Sequence, residues 1–169
     1  MALEGRRLKT VGVTKAVAAA GNYVAEDVLS ESASAGTAWT FSAIADRDGG
    51  TGEIVKAHVI CETTAQTHRL TLYLFSAAPT SELNDNAANT ALLHADLDNY
   101  VGYIDFPALE DLGGDSEAIA TPSTTGNLPL AYECASGADD LIGILVTRDA
   151  VTGETAGDDY TVRLTSRPY

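Results

Sequence analysis

Apolar and polar positions alternate with a period of two through most of this chain. The alternation recurs at residues 8–13, 23–29, 39–44, 54–61, 70–75, 100–106, 128–134, 141–146 and 160–164. The runs are rich in β-branched or aromatic residues and bounded by Gly, Pro, Asn or Asp, the pattern of half-buried strands. About eight or nine such runs at roughly even spacing, with little helical sequence between them, predict an all-β fold, a β-sandwich of jelly-roll type.

One stretch departs from the alternation. Residues 86–97 carry Ala87, Ala88, Ala91, Leu92 and Leu93 behind a capping Asp85 or Asn86, which predicts one short helix packed on a sheet edge. Residues 16–20 are a weaker helical candidate, ended by Gly21. Three connections stand out. Residues 46–52 (Asp-Arg-Asp-Gly-Gly-Thr-Gly) predict a tight hairpin turn. Residues 112–127 form a long polar loop of the kind that carries contacts. Residues 152–159 read as an acidic connector before the last strand.

Charge divides the chain a second way. Its 169 residues hold 24 Asp and Glu against 10 Lys and Arg, a net of −14. In the first fifteen residues Arg6, Arg7, Lys9 and Lys15 face only Glu4, four minus one or +3, which leaves six cations against 23 acids, or −17, on the rest. The chain therefore reads as an extended basic N-terminal arm, residues 1–19, on a single acidic β-sandwich domain, residues 20–169. A basic arm on an acidic body suggests docking onto a neighbouring copy or another acidic partner, the plainer reading being solvated cations at a chain end. Residues Arg6, Arg7 and Lys9, with Arg167 and Tyr169 at the other terminus, are the candidate partner contacts. Tyr169 has the character of an aromatic anchor for a neighbour's pocket.

The same charge excludes some partners. An acidic surface repels phosphate backbones, so nucleic acid is not expected as a partner. No run approaches the roughly 18 consecutive apolar residues of a membrane span, so no membrane association is expected. No apolar segment follows the N-terminal charges as in a signal peptide, which predicts synthesis in the cytoplasm.

Candidate chemistry is sparse. The loop Asp46–Glu53 invites calcium, but Gly50 and Thr51 stand where an EF-type loop needs an oxygen ligand and a glycine. His58 and His68 could lie on paired strands, yet two imidazoles without a third ligand make a poor zinc site. Cys61 and Cys134 sit in strand-like runs and read as buried, reduced thiols. No Gly-x-Ser-x-Gly elbow or phosphate-binding glycine loop occurs. The expectation is a protein that is not an enzyme, with no metal and no cofactor. Tyr100, Tyr103 and Tyr132 are either core residues or an exposed ladder for stacking sugars.

The order of blocks adds a resemblance. Tyr23…Asp27-Val28 and then Trp39-Thr40-Phe41 precede Arg47-Asp48-Gly49-Gly50-Thr51-Gly52-Glu53-Ile54. Leu72-Tyr73-Leu74-Phe75 with Pro79 follows, then Asp85-Asn86 and Tyr100-Val101-Gly102-Tyr103-Ile104-Asp105-Phe106. Leu141-Ile142-Gly143-Ile144-Leu145-Val146 and Tyr160-Thr161-Val162-Arg163-Leu164 close the series. Over about residues 20–166 this resembles the small head decoration, or cement, proteins of tailed phages. Ile142 stands where that pattern has an aromatic, and the arm lies outside it. The resemblance implies a virion protein on the outer surface of the capsid, bound to the major capsid protein, without catalytic residues. It favours a homo-oligomer, a trimer at threefold positions. A tail or neck component, or a carbohydrate-binding module on the same sandwich, are the alternatives.

Overall fold

A computed structural model describes residues 7–19, 22–111, 113–122, 127–153 and 155–169. Its strands are β1 (Lys9–Ala16), β2 (Val28–Leu29), β3 (Trp39–Phe41), β4 (Thr51–Cys61), β5 (Leu70–Phe75), β6 (Tyr100–Asp105), β7 (Glu110–Asp111), β8 (Ser116–Ala120), β9 (Leu130–Glu133), β10 (Leu141–Thr147) and β11 (Asp159–Pro168). They form two antiparallel sheets. One runs β1-β11-β4-β8-β7, with β9 also on β4; the other runs β2-β10-β5-β6, with β3 also on β10.

The pairings nest. β1 pairs with β11, β2 and β3 with β10, β4 with β8 and β9, and β5 with β6. A long antiparallel hairpin folded over on itself gives this order, and the added β11–β4 and β10–β5 pairs seal it into a jelly-roll sandwich. Alternation explains the core. In β11 every second residue from Tyr160 to Pro168 is buried, and β4 buries Ile54, Ala57, Val59 and Cys61. These meet Leu70, Leu72 and Leu74 of β5, with Trp39 and Phe41, between the sheets. Where the sheets meet at β6 and β9 the packing needs Gly102. Its φ is +149°, and a Cβ there would lie 2.8 Å from Leu130 Cδ1.

Several expectations are corrected. No helix spans residues 86–97; only His94–Asn99 coils, as a 3-10 helix. Asn86 has a positive φ of 57°, and the chain is zipped alongside β2, with Val28 N–H on Ala87 O at 2.9 Å and Asn89 N–H on Glu26 O at 2.7 Å. Backbone partners outside the segment replace those a helix would supply. The weaker helix at 16–20 is absent over its described residues: Ala16 ends β1 and Val17 N–H bonds Asp158 O at 3.1 Å. Residues 46–52 turn tightly, with Gly50 N–H on Arg47 O at 3.0 Å, but they cross from β3 in one sheet to β4 in the other and so make no hairpin. The long loop at 112–127 contains β8, whose inward residues Ser116, Ala118 and Ala120 are too small to mark alternation. Residues 9–16, within the segment read as an arm, are the edge strand β1, with Val11 and Val13 turned toward the core.

Candidate functional site

The ladder between β1 and β11 ends at Lys9 opposite Ser166, so the start of β1 and the end of β11 emerge together at one end of the sandwich. Of the candidate contacts, the fold thereby brings Arg7 and Lys9 to the same rim as Arg167 and Tyr169. Arg6 lies outside the described residues. Arg7 is exposed, and its neighbour Leu8 is 61% exposed. Tyr169 is 55% exposed while its backbone N–H is held by Thr51 O at 2.9 Å.

The rim is braced from below. Lys9 Nζ donates to Ala45 O at 2.6 Å and lies 3.3 Å from Asp46 Oδ1. Arg167 is ion-paired with Glu53 on β4. The buried Tyr132 hydroxyl donates to Ile44 O at 3.0 Å and accepts from Ser166 at 2.6 Å, tying β9, β11 and the β3–β4 crossing together. Burial raises the Tyr132 phenol above its ordinary pKa, so it stays a donor. Beside the rim an open groove of about 590 Å³ runs past Thr51, Asp98, Tyr100, Glu133 and Ser136.

The other candidate side chains are dispersed. His58 is on β4 and His68 precedes β5 in the opposite sheet, so they do not face each other on paired strands. His58 Nε2 lies 2.6 Å from Glu117 Oε2. His68 is buried, bonds the Tyr160 hydroxyl at 3.2 Å, and has an unpartnered Nδ1. Desolvation lowers its pKa to about 4, against the opposing pull of Asp149. Cys61 and Cys134 are both buried, and burial pushes the Cys134 thiol up to about 11. Among the described residues no three or more His, Cys, Asp or Glu are grouped to hold a metal ion. No described helix is long and apolar enough to cross a membrane.

The chain matches no family model, no curated protein and no solved structure. Tyr132 leaves the proposed sugar ladder, being 5% exposed with its hydroxyl satisfied. Tyr103 is 41% exposed and lies tilted against the half-buried Tyr73, ring centroids 6.1 Å apart, and Tyr100 leans on Phe75 at 5.5 Å. Sequence spacing hid two features of the rim. Glu53 and Asp46 answer Arg167 and Lys9 only through register and the crossing loop, and the signal for Glu53 was its outward parity on β4.

Proposed function

We propose that this is a non-catalytic decoration protein that caps the outer surface of a tailed-phage head and cements subunits of the major capsid protein. The observation that carries this reading is the convergence of both ends of the described chain on one rim, where Arg7, Leu8, Lys9, Arg167 and Tyr169 gather on an otherwise acidic body. A module fixed by one end holds its position through few contacts. An exposed aromatic beside the exposed Arg7, with Lys9 and Arg167 half-buried and ion-paired beneath, is the composition of an interface anchor. Repetition over a symmetric lattice turns weak identical contacts into high avidity. A homo-oligomer, favoured as a trimer at threefold positions, follows from the same reading, with neither nucleic acid nor membrane as partner. A neck or tail position would use the same rim.

Co-sedimentation with expanded, DNA-free heads of the protein's own phage tests this. Saturable binding is expected, weakened at least about tenfold by Arg7→Glu with Tyr169→Ala, both on exposed side chains. Heads that pellet without the protein would refute it. The exposed Tyr103 favours a second, saccharide-binding reading, which glycan binding lost in Tyr103→Ala would support.

A further inference from the structure

The outer face of the β1-β11-β4 sheet carries a recess that strand register builds. Thr10, Thr165 and Lys56 form one row across the three strands, and Gly12, Arg163 and His58 form the next row on that face. Neighbouring strands lie about 4.8 Å apart, so each row spans about 10 Å. Lys56 and Arg163 are diagonal neighbours, a spacing that long side chains bridge. Gly12 gives the recess its depth. A Cβ there would lie 3.1 Å from Arg163 Cγ, so the arginine stem packs over β1 where a larger residue would displace it.

The recess measures about 120 Å³ and is lined by Thr10, Lys56, His58, Arg163 and Thr165. At roughly 30 Å³ per water it holds the equivalent of about four waters, which suits one small polyatomic ion and not a drug-sized ligand. Its chemistry is that of a donor set. Lys56 and Arg163 are exposed, and among the described residues neither makes an ion pair, in a chain with 24 acids. Two cations at this spacing repel unless an anion lies between them. Thr10 and Thr165 hydroxyls bond each other at 3.0 Å, which uses one of their two protons and leaves the other for a ligand. His58 is oriented by Glu117, the carboxylate beside the site.

We infer that Lys56 and Arg163, supported by the Thr10 and Thr165 hydroxyls, bind a phosphate-class oxyanion, either inorganic or a monoester. The arginine fork takes two oxygens, the lysine answers the second charge, and a threonine hydroxyl reaches another corner of the tetrahedron. A carboxylate, planar and singly charged, leaves part of this set unused. The site is independent of the docking role of the rim, and either can fail without the other.

Titration of the full ¹⁵N-labelled chain with sodium phosphate, at ionic strength held constant with chloride, tests it. Saturable amide shifts are expected around residues 10, 56, 58, 163 and 165, with affinity reduced about tenfold by Arg163→Gln and by Lys56→Gln, the size of a lost charge-assisted hydrogen bond. Both positions are exposed, and unchanged spectra elsewhere establish that the variants fold. A parallel titration with glycerol phosphate separates the sources. Saturation there assigns an esterified group, and saturation by inorganic phosphate alone assigns the free ion. Shifts that rise linearly and equally with chloride would overturn the site, as would affinity unchanged in Arg163→Gln. Acetate binding as tightly as phosphate would overturn the ligand class.

Discussion

The two sheets differ on their outer faces. The β2-β10-β5-β6 sheet turns Val28, Phe75, Ile144 and Val146 outward and covers them with residues 76–99, from which Leu83 and Ala91 pack down. The β1-β11-β4 sheet turns out mostly threonines and charged side chains, with Glu53 among them, and has no such apolar cluster on its outer face among the described residues. The cover is held by two buried carboxylates. Asp85 accepts from Ser30 N–H at 2.8 Å and from the Tyr23 hydroxyl at 3.0 Å. Asp96 accepts from the backbone N–H and hydroxyl of both Thr80 and Ser81, at 2.7–3.1 Å. Burial alone would raise Asp96, but these hydrogen bonds outweigh it and hold its pKa below the ordinary value. One face is thus closed by the chain's own loop, and the other faces solvent.

Removing the apolar anchor of the covered face is the largest expected perturbation. Phe75 is fully buried, so Phe75→Ala should lower stability by about 3–5 kcal/mol in urea unfolding, the range for a deleted core aromatic. A loss under about 1 kcal/mol would mean that the cover does not seal this face.

Next comes pH. Unfolded His68 takes a proton near its ordinary 6.5, whereas the folded residue resists it until about 4. As pH falls through that window the unfolded state binds the extra proton, so stability should drop by about 3 kcal/mol and then level off from this source. Asp149 and Glu31 are both held at about 2, so their contributions are lost lower down, from about pH 4 toward 2. His68→Gln should flatten the upper window only; an unaltered slope between pH 6.5 and 4 would place the titration elsewhere.

Asp96→Ala should follow at about 2 kcal/mol, because it strands the buried backbone N–H and hydroxyl of Ser81 and also frees those of Thr80. It should also raise hydrogen exchange across residues 76–99 before that of β11. On the solvent-facing side Thr161→Ala removes a 2.7 Å hydroxyl contact with Thr14 and should change stability by no more than about 0.5 kcal/mol. A larger loss there would erase the contrast between the faces.

The fold was legible wherever large residues alternate, as in β4, β5, β10 and β11. It was obscured where the alternating residues are small, as in Ser116-x-Ala118-x-Ala120 of β8. Ala87, Ala88 and Ala91 carry helix propensity, but backbone bonds to β2 override it, and propensity is a weak prior against tertiary partners. The rim was readable in part, because cations crowd one terminus and an Arg-Pro-Tyr closes the other, although only the β1–β11 register shows that they meet. The oxyanion recess was out of reach for the same reason. Lys56 and Arg163 are far apart in sequence and become neighbours through β11 pairing with β4.

The central claim is that the rim of Arg7, Lys9, Arg167 and Tyr169 is the end that docks. Cryo-EM of expanded heads saturated with the protein tests it most directly. The account predicts density at repeating lattice positions, with the joined ends of β1 and β11 against the shell and the opposite end of the sandwich outward. Density seated with that rim in solvent, or heads that bind none of the protein, would contradict it.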